Sequence, residues 1–280
     1  MAELEESRMA GGSRATGGRA ADGRATEGDD KVVFRGTRVD RSGYPAVDRA
    51  ALAEHYANPR FGSGFARLCR MVLPRGREFR GLTALDLGCR SGKGVYKLSE
   101  CVGGTGRAIG VDWNEASIEH ALAHMESAWR KTGLARCNME FHLGYPEDLR
   151  AVGIADESVD LVYVNSVANL FYDRELAFRE MARVLAPGGQ VCHDAVLASS
   201  ARNPGVVNGA RALGNSVQAA PSREEFEALA HRVGLTVANY SDASPVTPET
   251  GETPDRPAVA VPSGEDVRFE SVLVILEKPE

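Results

Sequence analysis

The sequence lacks the features that mark several protein classes. No window holds the ~18 consecutive apolar residues that a membrane span needs. The N-terminal MAELEESRMAGGSRATGG has no apolar core of a secretory signal, and its early glutamates argue against a transit peptide, so a cytoplasmic location is expected. The five cysteines, Cys69, Cys89, Cys101, Cys137 and Cys192, are odd in number and none is spaced as CxxC. That argues against a disulfide framework or a structural zinc site and for free thiols. A basic excess is missing too: 39 acidic against 33 basic residues leave a net charge of -6. Neither nucleic acid nor membrane is expected as a partner.

What is present is an ordinary globular balance over 280 residues, 43% hydrophobic and 26% charged. That length suits one domain of roughly 200–250 residues plus a tail. Residues 1–30 carry a five-residue near-repeat, Ser13–Gly17, Gly18–Asp22 and Gly23–Glu27, without a large apolar side chain. They read as a disordered tail with nothing to bury. Asp48 to Leu73 suggests one or two helices, interrupted near Asn58-Pro59.

From Leu82 onward strand and helix signals alternate. Strands are expected at 82–87, 107–111, 139–143, 159–164 and 190–196. One helix follows Asn114 as N-cap, with Ile118, Ala121, Leu122 and Met125 as its buried stripe. Another, striped by Phe178, Met181, Ala182 and Leu185, ends at Pro187-Gly188-Gly189. A capping box at Ser222–Glu225 opens the last, striped by Phe226, Leu229, Ala230 and Val233. Thr236–Tyr240 and Phe269–Leu276 read as final strands joined by a long loop over 244–265. The expected fold is one α/β domain, mostly parallel and helix-covered on both faces, with an antiparallel C-terminal edge pair.

In such a sheet the ligand lies beyond the carboxyl ends of the strands. The first strand runs into Asp86-Leu87-Gly88-Cys89-Arg90-Ser91-Gly92, a glycine turn leading to a helix N-terminus. The second ends at Asp112, where an acid can accept hydrogen bonds from both ribose hydroxyls of a nucleoside cofactor. Trp113 stands ready to pack on adenine. Asp86, two residues before the first glycine, would repel a pyrophosphate and attract an ammonium group. The GxGxxG of dinucleotide sites is absent.

The runs ALDLGCRSGKG, GRAIGVDWNEASIEHA, VDLVYVNSVANL and REMARVLAPGGQV resemble a class I S-adenosylmethionine-dependent methyltransferase over about 110 residues. The stretches VYKLSECVG, HMESAW, FHLGYPEDL, GIADESVDLV, NSVANLFYD and ASPVT are similar to arsenite methyltransferases. The resemblance implies a Rossmann-like methyltransferase domain over 31–280, with a cofactor half about 82–195 and an acceptor-side part about 196–280. It implies S-adenosyl-L-methionine as cofactor and a small-molecule acceptor. It places Asp86, Gly88, Gly92 and Asp112 on the cofactor, Glu147 beside adenine, and Asn165 near the methionine end.

Departures from that pattern fall mainly on the acceptor side. Family members hold trivalent arsenic on three cysteine thiolates. Cys69 matches the first, but Ser166 and Ala212 stand at the second and third. A hydroxyl and a methyl are poor replacements for soft ligands. Arg90 replaces the middle glycine of the cofactor loop, and Pro146 has no N–H to offer adenine. Cys89 is expected to serve packing. An acceptor of harder chemistry needs a base, and His193-Asp194 at the fifth strand is the best placed pair, ahead of Tyr56 and Tyr172. His120 and His124 share a helix face without a third ligand, as a solvated face does. A methyltransferase for an unrelated organic acceptor, a non-catalytic cofactor-binding module and, more distantly, a nicotinamide enzyme stay open as alternatives.

Overall fold

The computed structural model describes residues 32–34, 37–39, 46–61, 72–73, 78–249 and 259–280. The expected tail over 1–30 and Cys69 lie outside the described residues. The chain divides into two compact units, 1–46 and 47–280. In the first, two short strands, β1 (Val32–Phe34) and β2 (Thr37–Val39), pair antiparallel.

In the second, strands β3 (Thr83–Leu87), β4 (Arg107–Asp112), β5 (Met139–Leu143), β6 (Val159–Asn165), β7 (Leu185–Ala198), β8 (Thr236–Val246) and β9 (Phe269–Glu277) form one sheet ordered β5-β4-β3-β6-β7-β9-β8. It is parallel from β5 through β7, and β9 then pairs antiparallel with both β7 and β8. This is the mostly parallel sheet with an antiparallel C-terminal edge pair that the residue pattern calls for. The chain leaves β3 toward β4 and β5, then returns to lay β6 on β3's other side. That reversal opens a crevice between the carboxyl ends of β3 and β6.

Helices α1 (Arg49–Tyr56), α2 (Lys93–Val102), α3 (Glu115–Thr132), α4 (Arg174–Val184), α5 (Pro204–Ala212) and α6 (Arg223–Arg232) complete the unit. One face of the sheet meets α4 and α6 through Phe178, Met181, Phe226 and Leu229. The opposite face meets α2 and α3 through Val95, Leu98 and Ile118. Full burial of a Val or Leu here contributes about 1.5–3 kcal/mol. The side-chain caps expected at Asn114 and Ser222 are present, the latter as a complete capping box.

The structure corrects several local expectations. Leu122 is 47% exposed, because the buried stripe of α3 tilts toward Ala121 and Ala128 and leaves Leu122 on its rim. Helix α4 stops at Val184, and Pro187-Gly188-Gly189 belongs to β7, where Gly188 and Gly189 exchange backbone hydrogen bonds with Lys278. Leu185 is already extended there and opposite Val159. β8 runs to Val246, into the stretch expected as loop, and α5 carried no periodic signal strong enough to be expected.

Candidate active site

Two loops form the floor of the crevice, one after β3 and one after β6. Each holds a non-glycine residue in the left-handed region, Arg90 at φ 49° and Ser166 at φ 57°. Such a conformation costs an L-residue roughly 1–2 kcal/mol. Strain of this kind gathers where a backbone is shaped for a ligand.

Asp86 and Asp112 end their strands side by side, both almost wholly buried. Burial first, and then the charge of Asp112, push the Asp86 carboxyl up to about 7. Among the described residues no donor reaches Asp86. Burial also raises Asp112, while the backbone amides of Asn114 and Arg90 and the Arg90 charge pull it back. Those amides donate at 2.8 Å each, to Oδ1 and Oδ2 respectively. Asp112 thus fixes both the cofactor loop and the turn into α3, and keeps lone pairs to spare on each oxygen.

The glycines divide into two roles. Gly88 faces the crevice: a Cβ there would meet Val167 and Trp113 at 3.0 and 3.6 Å. Gly92 faces the core instead, at φ 82°, where a Cβ would press within about 3 Å of Phe141 and Ala121. Its missing side chain serves the seating of α2. Gly94 escaped the sequence reading, though the SGKG of the loop carries the signal. A Cβ at Gly94 would overlap the Asp86 carboxylate, so this glycine lets the acid lie against the first turn of α2. Cys89 points inward against Gly110 and Val95, as a packing thiol does, and burial pushes its pKa far up.

Trp113 is only partly covered by the core. Its ring lies 4.5 Å from that of Tyr56, which in turn stacks on Tyr145 at 5.3 Å. Tyr56 comes from α1 and donates its hydroxyl to Glu147 at 2.9 Å. Glu147 is fully buried and also accepts from the backbone of Asp173 at 3.2 Å. Burial pushes the Glu147 carboxyl up to about 7 against these donors. Glu147 is therefore a junction between α1 and the start of α4, a role that only the tertiary fold reveals.

On the acceptor side the residues converge less. Asn165 ends β6 beside Asp194 of β7. Ser166 is buried and its backbone donates to Asp194 O at 2.9 Å. Ala212 is exposed at the end of α5, its carbonyl accepting from Asn58 at 2.8 Å. His193 and Asp194 do not form a pair. They are consecutive in β7, so their side chains leave opposite faces. His193 packs against Phe178 and Phe226, with Nδ1 3.2 Å from the Val164 carbonyl, and burial keeps its pKa below the usual histidine value. Asp194 instead accepts from the Ser271 hydroxyl. His120 and His124 stack at 4.1 Å on the exposed side of α3. No helix among the described residues is long and apolar enough to cross a membrane.

Comparison with known proteins finds methyltransferases by sequence and by structure. A methyltransferase domain family model matches residues 78–234, more than half of the chain. An arsenite methyltransferase from Aquipseudomonas alcaligenes is 34% identical over 184 residues, covering 64% of this chain and 51% of that protein. The human arsenite methyltransferase is 31% identical over 185 residues, covering 66% and 48%. The chain thus spans about half the length of these curated relatives. Among solved structures, an arsenic (III) S-adenosylmethionine methyltransferase from Chlamydomonas reinhardtii matches with a TM-score of 0.63 at 29% identity, over 83% of this chain and 73% of that one.

Proposed function

This chain belongs to the methyltransferase domain family, and we propose that it is an S-adenosylmethionine-dependent methyltransferase acting on a small acceptor. The observation that carries the proposal is the pair of buried strand-end carboxylates, Asp86 and Asp112, on a glycine turn at the crevice. A buried acid with no donor among the described residues, its charge opposed by a second acid, is matched by a cationic ligand. A neutral or anionic one leaves that repulsion standing. The residues therefore fit the cofactor, which when bound supplies a methyl group on a sulfonium.

In this reading Asp112 accepts from the ribose hydroxyls, and Asp86 gives the ammonium end a negative field. Gly88 and Gly94 keep the floor low, and Asn165 borders the methionine end. Methyl transfer by in-line displacement gains mostly from alignment, which a rigid crevice supplies. A soft acceptor needs no base, and His193, the base that the sequence offers, is packed in the core with its pKa lowered by burial. Relatives that methylate arsenite support an arsenical acceptor. Ser166 and Ala212 at two of the three thiolate positions favour one already carrying two other groups, such as a dithiol-bound or methylated arsenical, which needs only Cys69. The described cysteines are all free thiols, which supports a cytoplasmic setting within the same proposal.

The test is transfer of a labelled methyl group from S-adenosylmethionine to arsenite, methylarsenite and their glutathione adducts, in wild type and Cys69→Ser. Expected is turnover of pre-ligated forms that depends on Cys69, with little on arsenite alone. Cofactor binding without transfer to any acceptor would leave a non-catalytic module as the better reading.

A further inference from the structure

Helices α4, α5 and α6 border an open cleft of about 670 Å³ that shares no lining residue with the cofactor loop. Arg174 and Arg211 both line it. Among the described residues, Arg174 Nη1 and Arg211 Nε are shut off from solvent and have no hydrogen-bond partner. The Arg174 guanidinium makes no hydrogen bond there, and that of Arg211 makes one long one, Nη1 to the Tyr172 carbonyl at 3.4 Å. The two cations also repel each other, and burial with that repulsion pushes Arg174 down to about 10. Both stay charged at neutral pH.

Nearby carboxylates answer this demand only at a distance. Asp173, Glu175 and Glu225 also line the cleft. Burial keeps both arginines below the ordinary value, although Glu225 raises Arg174, and Asp173 and Glu147 raise Arg211. Asp173 caps the Leu176 amide, and Glu225 is engaged by the Ser222 amide in its capping box. Glu175 bridges Arg179 and Arg232. Glu147 is committed to Tyr56 and Asp173. None of them makes a contact ion pair with Arg174 or Arg211 among the described residues. Two guanidinium forks with unspent donors beside an open cavity have the composition of a site for a planar or tetrahedral oxyanion. The apolar wall of Phe226 and Leu229 leaves room for an organic remainder.

We propose that Arg174 and Arg211 bind a small oxyanion, the phosphate or carboxylate group of a small molecule, in the cavity between α4, α5 and α6. Tyr172 links this site to Tyr56, to which its amide lies at 3.4 Å. Occupancy therefore bears on the α1 junction at Glu147. The proposal stands apart from methyl transfer, because cofactor binding is read separately.

The experiment is calorimetry and thermal melting of the full chain with inorganic phosphate and, in a parallel arm, acetate, each against chloride of equal ionic strength. A rise in Tm with saturable binding is expected for at least one anion, and the arm that responds identifies the class. Arg174→Met and Arg211→Met should each lose tenfold or more in affinity, while Arg130→Gln, on the exposed face of α3 away from the cavity, keeps it. Without anion, the Met variants should melt no lower than wild type, since an unpaired buried charge has gone. A purely structural role for the arginines requires the opposite. No response beyond chloride in either arm overturns the proposal, as does full binding in the double Met variant. If a Met variant fails to fold, Arg174→Lys and Arg211→Lys take its place, with reduced but measurable binding expected; unreduced binding counts against the fork geometry.

Discussion

The two walls of the crevice differ in how strictly they follow the family pattern. After β3 and β4 the wall is dense with constraint: Asp112 fastens two backbone amides, Gly88 and Gly94 leave no room for a Cβ, and Asp86 lies uncompensated beneath. After β6 and β7 the wall again carries a left-handed residue, Ser166, but in the resemblance Ser166 and Ala212 stand where two of the three thiolates are expected. In the reading proposed above, the strand-end acids serve the cofactor and are required whatever the acceptor, whereas the thiolate positions serve the acceptor alone and follow the form in which it arrives.

The sharpest way to break this contrast is Asp112→Ala. Two hydrogen bonds to a charged group are worth ~1.5–3 kcal/mol each, so calorimetry should show S-adenosylmethionine affinity falling by at least ~100-fold. Unchanged binding would strip the first wall of its assignment.

Next in size is a pH effect from Asp86. Its folded value of about 7 lies above that of the unfolded chain. The free protein thus holds a proton that the unfolded chain loses, and its stability falls as pH rises from the ordinary carboxylate range toward 7. Cationic cofactor prefers the ionised form, so its affinity should move the other way, weakening by up to ~tenfold per pH unit below 7. Asp86→Asn should flatten the affinity profile; a profile that persists in this variant assigns the proton elsewhere.

On the second wall, Ser166→Cys with Ala212→Cys should raise arsenite methylation severalfold over wild type, provided Cys69 is intact. No gain in a well-folded variant would undo the mapping of the three thiolate positions. The smallest effect is expected of Arg90→Gly. Relief of ~1–2 kcal/mol of left-handed strain is offset in part by ~0.5–1 kcal/mol of glycine entropy. Melting should move by a few degrees at most, with cofactor affinity kept or improved. A large loss of affinity would make the guanidinium itself a ligand.

The first wall was legible in the sequence because its residues are contiguous with strand ends: Asp86, Gly88 and Asp112 are located by counting from an apolar run. The second was not, for physical reasons visible at single residues. His193 and Asp194 look like a pair in one dimension, yet an extended strand turns neighbours to opposite faces. Glu147 reads as a neighbour of adenine, and its second role, accepting from Tyr56 91 positions away, is visible only in the fold. Gly92 and Gly94 are indistinguishable as letters; only the atoms around them show that one serves the core and the other the carboxylate.

The stack of Tyr56 on Trp113 has a practical consequence. The chain has two tryptophans. Trp129 is held on α3 by its indole N–H to the Leu134 carbonyl at 2.9 Å, packed against the α2–α3 side of the sheet. Trp113 leans over Gly88 at the crevice floor with a phenol ring on its face. One indole is thus a fixed reference and the other a reporter whose emission depends on what touches it. Intrinsic fluorescence alone can follow occupancy of the crevice, with Trp113→Phe as the dark control and no label on the protein.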